Sequence, residues 1–235
     1  MENKKDTIGI IGGSGAFATS YLLQKINEYS VLMHQASNDQ DFLHTITIST
    51  PFTALNHQGF PSKNTLHHLI QLLHQLESID CNIIVLACNT LHQYWENLNQ
   101  AKIHSSTTIL HLPQIVSSYV SSKDKIVGIL SSEQTRLLQL YEPFLQFHQK
   151  LIYVPLKIQS KINDCIQSVI QNKIDVQIQQ NFHDCLSYLF DNQVDSIILG
   201  CTELSILKKF ITYPKIYDSV ELLAMYLNQY FSGKS

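Results

Sequence analysis

Residues 82–92 read NIIVLACNTLH. Ile83, Ile84, Val85 and Leu86 make an apolar run that ends in Ala87, Cys88, Asn89 and Thr90, a thiol followed at once by two small polar residues. A run this short, bounded by polar residues and rich in β-branched side chains, reads as a fully buried strand. Thr90 followed by Gln93 is a capping-box pattern, so a helix is expected to start just after Cys88. The arrangement recurs. Residues 195–204 read DSIILGCTEL, a second apolar run that closes in Gly200, Cys201, Thr202 and Glu203, with Thr202 a candidate cap for the helix after it. Cys88 and Cys201 stand 113 positions apart, close to half of the 235 residues. Something is built twice, and each copy ends in cysteine.

Working outward, strand-like and helix-like patterns alternate. Residues 7–11 read as a strand, 16–29 as a helix, and 45–49 as a β-branched strand. Leu66, Leu69, Ile70, Leu73 and Leu76 repeat at helical spacing. Residues 83–87 and 108–112 are the next strands. The pattern then restarts with a strand at 125–130, a helix marked by Leu137, Leu138, Tyr141, Phe144 and Leu145, and a short strand at 152–154. Ile158, Ile162, Cys165, Ile166, Val169 and Ile170 mark the most regular helix, followed by a helix over 176–191. A strand at 196–199, a short one at Ile216 and Tyr217, and a helix over 220–230 complete the series. Alternating elements of this kind predict α/β architecture: parallel sheets covered by helices, with ligands beyond the carboxyl ends of the strands. The expected arrangement is two pseudo-symmetric α/β domains, residues 1–113 with 218–235 and residues 114–217, sharing one cleft.

Composition narrows the partners. Hydrophobic residues make up 44% of the chain, the formal charge is −3, and Arg136 is the one arginine. Guanidinium forks for phosphates or base edges are nearly absent, so no nucleic-acid partner is expected. No apolar segment approaches the roughly 18–20 residues of a membrane span. The N-terminus lacks a secretory apolar region, and a cytoplasmic protein is expected. Five cysteines in a chain of this size favour free thiols over a disulfide framework. Cys88 and His92 alone do not make a zinc site. The eleven histidines fall mostly in polar or helical contexts and read as exposed or boundary residues.

Two thiols at strand ends suit one chemistry in particular. A thiolate is stabilised by N–H groups and partial positive charge at a helix N-terminus. Asn89, Thr90 and Thr202 offer donors on which a carboxylate docks. Two thiols on opposite faces of a carbon act as base and acid, one taking a proton and the other returning it. Cys81, Cys165 and Cys185, the last two on helical patterns, read as packing residues. Gly13, Gly15 and Ala18 also satisfy the GxGxxA of a dinucleotide fold. The acidic residue expected about 20 positions on, at the end of a second strand, is absent there, and that reading leaves both cysteines unexplained.

ACNTLH and LGCTEL, with the N-terminal GIIGGSGAFAT, resemble the paired signatures and glycine-rich opening of the cofactor-independent aspartate/glutamate racemase superfamily. The resemblance runs over nearly the whole chain. It implies racemisation of a small amino acid by Cys88 and Cys201 without pyridoxal phosphate or metal, in a homodimer. Gly12 and Glu203 stand where the glutamate branch has an aspartate and a histidine, which points to the aspartate-racemase branch. By the same alignment Ser14, Asn56, Asn89, Thr90, Ser132, Glu133, Thr135, Lys161 and Thr202 fall at substrate-contacting positions. Two of these depart from the dicarboxylate pattern: Asn56 takes the place of an arginine, and Ser132, Glu133, Gln134 and Thr135 replace a Thr-Thr-Gly-Thr loop. Aspartate is the implied substrate, and a neutral or basic amino acid competes with it. A maleate isomerase-like or decarboxylase-like relative, or a binding protein that keeps the fold, are the alternatives.

Overall fold

A computed structural model describes residues 7–51 and 63–232. Asn56 lies outside the described residues. The chain divides into two compact units, Met1–Leu112 with Leu223–Ser235, and Pro113–Leu222.

In the first unit, strands β1 (Thr7–Gly12), β2 (Thr45–Ser49), β3 (Cys81–Leu86) and β4 (Thr108–Ile109) form a parallel sheet in the order β2-β1-β3-β4. The two inner strands are buried almost throughout, whereas β2 is half-buried. That difference explains why β1 and β3 are continuous apolar runs and β2 alternates Thr with Ile. Helices α1 (Ala16–His34), α2 (Lys63–Ser78) and α3 (Trp95–Ala101) belong to this unit. On α2, Leu69, Leu72, Leu73 and Leu76 are buried at helical spacing. Each contributes roughly 1.5–3 kcal/mol by leaving water. Helix α1 runs five residues beyond the expected end, because Gln35 rather than a glycine takes the left-handed cap, with φ 56° and its N–H on the Val31 carbonyl.

The second unit repeats the plan. Strands β5 (Ile126–Ser131), β6 (Lys150–Tyr153), β7 (Ser196–Gly200) and β8 (Ile216–Asp218) are parallel in the order β6-β5-β7-β8. Each strand holds the same place in the order as its counterpart in the first sheet. Helices α6 (Leu156–Ile170) and α7 (Val176–Asp191) pack on each other through Ile162, Cys165, Val169, Phe182, Cys185 and Leu186. Asp175 caps α7 through the Ile178 N–H at 2.9 Å. The last elements are α8 (Thr202–Leu207) and α9 (Ser219–Ser232), the latter ending in the first unit.

Two expectations are corrected. The stretch from Leu110 to Leu112 is not the end of a strand: α4 (Leu112–Tyr119) begins there, with Pro113 in its first turn, where proline's missing N–H costs nothing. The helix expected around Leu137 to Leu145 is only α5 (Glu133–Leu137). Gln139 at φ 51° breaks it, and Pro143 opens a separate 3-10 turn, Glu142–Phe144. Tyr141 is fully buried from this irregular segment, which is why its spacing imitated a helix face. Among the described residues, no helix is long and apolar enough to cross a membrane.

Candidate active site

In the first unit the site residues gather at the carboxyl ends of β1, β2 and β3. Strand β3 remains bonded to β1 past its last residue, through the Ala87 N–H to the Ile11 carbonyl at 2.9 Å. This fixes Cys88 and Asn89 beside the turn that leaves β1. That turn needs glycine. Gly13 has φ 103°, and a Cβ there would fall 1.9 Å from the Thr50 carbonyl oxygen at the end of β2. The Thr19 hydroxyl of α1 accepts the Gly13 N–H at 3.1 Å and donates to the Gly15 carbonyl at 3.0 Å. Ser14, half-buried, sits at the tip of this turn. Thr50, in the same row, is hydrogen-bonded to His68 of α2 at 2.9 Å.

Cys88 is 9% exposed and Asn89 is buried. The segment after them departs from expectation. It is a 3-10 turn, Thr90–Tyr94, with Asn89 as its first flank, and α3 follows only at Trp95. The capping box does not form; the Gln93 amide donates to the Thr90 carbonyl at 3.1 Å instead. A side chain takes over part of the missing helical ladder. His92 Nδ1–H donates to the Cys88 carbonyl at 2.9 Å. His92 packs edge-on to His111 with centroids 5.1 Å apart, and Trp95 meets His111 at the same distance. Burial first, and His111 second, hold the His92 pKa down to about 3. Burial holds His111 down to about 4. His92 is a core histidine, not the boundary residue expected, whereas His111 is half-buried and keeps to the expectation. The signal was His92's position four residues after Cys88 on a turn otherwise apolar at Leu91 and Tyr94.

A neutral buried His92 makes a pH prediction. The unfolded chain protonates this residue near pH 6.5 and the folded chain only near pH 3, so its contribution is lost as pH falls between those values. His92→Asn keeps an N–H for the Cys88 carbonyl and cannot charge. Urea unfolding should show wild type losing about 2 kcal/mol more than this variant between pH 6.5 and 5. Glu203 and Asp218, raised by burial, lose stability in the opposite direction as pH rises, and they cancel in the comparison. Equal losses in the two proteins would mean that His92 is charged in the fold.

In the second unit the corresponding row follows β5 and β7, paired to their ends as Ser131 with Gly200. Ser132 caps α5: its hydroxyl accepts the Thr135 N–H at 3.2 Å and donates to the Thr135 hydroxyl at 3.1 Å. Glu133 is half-buried at the first position of that helix. Gln159 of α6, buried on the apolar stripe, donates to the Ser131 carbonyl at 3.0 Å and pins this loop from behind. Its signal in the sequence is a glutamine three residues before Ile162 on the apolar stripe. Lys161 is turned toward α7, where its ammonium lies 2.5 Å from the Asp184 carboxylate.

Cys201 is 7% exposed and forms the N-cap of α8, with Thr202 as the first helical residue rather than the cap. Its thiol is hydrogen-bonded to Glu203 Oε2 at 3.0 Å, and the Thr202 hydroxyl lies 3.3 Å from the same oxygen. Burial raises the Glu203 carboxyl, against the bonds it receives from Cys201, its own backbone and Thr202. Cys165 and Cys185 differ from Cys201 in kind. Burial pushes both thiols up to about 12, and they donate to the Ile178 and Ile158 carbonyls between α6 and α7. Among the described residues, no group of three or more His, Cys, Asp or Glu side chains is placed to hold a metal ion.

The architecture is thus a duplicated four-stranded parallel α/β unit with a cysteine just past the third strand of each. Residues 8–227 match the Asp/Glu/Hydantoin racemase family, and the chain belongs to it. The broad specificity amino-acid racemase RacX of Bacillus subtilis is 27% identical over 198 residues, 84% of this chain and 86% of its own. Among solved structures, the Picrophilus torridus aspartate racemase superposes with a TM-score of 0.80 at 22% identity, covering 97% of this chain and 94% of that one. A glutamate racemase from Francisella tularensis bound to D-glutamate gives 0.68 at 16% identity, over 98% and 82%. At these identities the two structures show the shared fold.

Proposed function

We propose that this protein is a cofactor-independent amino-acid racemase that uses Cys88 and Cys201 as its two bases, and that it takes aspartate along with other amino acids. One observation carries the reading. Cys88 and Cys201 occupy the same place, just past the third strand, in two sheets of identical strand order. Duplicated scaffolds that each end in a thiol suit a reaction needing one group on each face of a carbon. The thiolate of one cysteine takes the α-proton and becomes a thiol. The other thiol delivers its proton to the opposite face and becomes a thiolate. The intermediate carries the C–H electron pair, delocalised into the substrate carboxylate, and needs preorganised donors. The donors we assign are Asn89 and Thr90, which follow Cys88, Thr202, which follows Cys201, and Ser132, which follows the strand paired with β7 as Ser131 with Gly200, with Ser14 at the β1 turn and Glu133 at the start of α5. Thr135 supports Ser132 through the cap. The role expected of Lys161 requires it to leave Asp184.

Breadth of substrate is supported by RacX, whose name records broad specificity, and by Asn56 and Glu133, which weaken a dedicated site for a second carboxylate. The test is a chiral assay of the purified protein against a panel of L- and D-amino acids, after dialysis against a chelator and with hydroxylamine present. Racemisation under both treatments supports the reading. Binding without racemisation, or activity restored only by added metal or pyridoxal phosphate, refutes it. A further expectation concerns charge. Asn56→Arg should raise kcat/KM for aspartate relative to alanine by about 10- to 150-fold, the range of a charge-assisted pair of roughly 1.5–3 kcal/mol. A fall for aspartate would take Asn56 out of the substrate's surroundings.

A further inference from the structure

The two cysteines are not equivalent. Two residues past Cys201 stands Glu203, buried, its carboxyl oxygen 3.0 Å from the sulfur. Two residues past Cys88 stands Thr90, which has no charge to offer. His92, the nearest ionisable neighbour on that turn, has its Nδ1–H committed to the Cys88 carbonyl. Resting on the two-thiol reading, we propose that Glu203 holds Cys201 in its protonated form, as the resting proton donor of the site, and accepts the thiol proton whenever Cys201 must act as base.

The argument starts from charge. A thiolate and a carboxylate 3.0 Å apart in a site this dry repel strongly, so the pair carries one negative charge rather than two. A carboxyl group is the stronger acid of the two, and that charge rests on Glu203 while the proton rests on sulfur. The Thr202 hydroxyl on the same oxygen favours this state. Transfer is balanced within the pair: the S–H bond breaks, the O–H bond forms, and the negative charge moves from oxygen to sulfur. Burial, which lifts the Glu203 carboxyl toward the thiol, makes that transfer less uphill. The other ionisable groups in this part of the unit reinforce the assignment. Tyr141, buried and held well above the usual phenol range, is within electrostatic reach of Cys201, with Tyr153 and the buried Asp218 behind it. The lysines near this helix are occupied: Lys161 of α6 by Asp184, and Lys208 by Glu221. Two-base racemisation needs one thiol and one thiolate at the start of each turnover. This pair supplies the thiol and leaves Cys88 to be the thiolate.

The test is the pH dependence of Cys201 alkylation by iodoacetamide, followed residue by residue by mass spectrometry of the full chain. Glu203→Gln removes the charge and keeps the shape. Its alkylation midpoint should fall by about one pH unit or more relative to wild type. Glu203→Asp, which keeps the charge but draws it back by one methylene, should shift the midpoint down by less. Cys165 and Cys185 should remain unreactive in all three proteins, which separates a loss of charge from a loosened fold. An unchanged or raised midpoint in Glu203→Gln overturns the proposal. If that variant does not fold, the absence of a downward shift in Glu203→Asp does so. Alkylation needs no substrate. A downward shift in a protein that racemises nothing would keep the pair and refute the racemase reading; racemisation with an unmoved midpoint would do the reverse.

Discussion

Cys88→Ala and Cys201→Ala should each lose racemisation by roughly 10³-fold or more, yet each should still exchange the α-hydrogen of one enantiomer in deuterated water, and they should exchange opposite enantiomers. That is the expected result if the two thiols serve opposite faces of one carbon. Removing either thiol deprives one face of its proton donor. The remaining thiolate still takes a proton from its own side and returns deuterium to it. Cys81→Ala, Cys165→Ala and Cys185→Ala should keep the activity, because Cys81 is buried at the amino end of β3, opposite the carboxyl ends, and the last two serve the packing of α6 on α7. Their losses are of stability alone. Racemisation surviving in either active-site variant refutes the two-thiol mechanism, and exchange of the same enantiomer by both refutes the opposite-face arrangement.

The second large effect comes from a residue with no side chain. Gly13→Ala should destabilise the protein by roughly 2–4 kcal/mol, measured as the free energy of urea unfolding. Two costs add. The backbone at φ 103° disfavours any L side chain, and the new methyl would overlap the Thr50 carbonyl, which is backbone and cannot rotate aside. The strain falls where β1, β2 and α1 meet, so Ser14 moves with it. A change below about 0.5 kcal/mol would mean that the turn leaving β1 does not lie against the end of β2.

The fold was legible because most of its elements carry local signals. Ile83 to Leu86 read as fully buried, Ile162, Cys165 and Val169 repeat at helical period, and the helix expected over 176–191 coincides with α7 (Val176–Asp191). Where reading failed, a local signal served a nonlocal purpose. Tyr141 lies at helical spacing from Leu137 and Leu138 but fills the core from an irregular segment. Leu110 and Leu112 look like a strand running into proline, whereas Pro113 is inside the first turn of a helix. The candidate site could be proposed from the sequence at Cys88 and Cys201 because they end apolar runs. Its supports could not: Gln159 on the Ser131 carbonyl, Thr50 on His68, and Glu203 on Cys201 are matters of where side chains end, which periodicity does not encode. Glu203 in particular could be seen as a marker of one family branch, but not as a carboxyl touching sulfur.

The first unit is assembled from both ends of the chain. Asn228 of α9 is buried among groups some two hundred positions earlier: its amide donates to the Ile26 carbonyl at 3.1 Å, and its oxygen accepts the Ser30 hydroxyl at 2.8 Å. A chain emerging from the ribosome therefore displays β1 to β4 long before their last helix exists, and the whole of Pro113–Leu222 is synthesised in between. The later-made half lies wholly in one contiguous stretch and can close first, while the earlier-made half has its strands but waits for the helix segment from Leu223 onward. The expected order of nascent-chain maturation is therefore opposite to the order of translation, with the waiting half the one a chaperone would meet for longest.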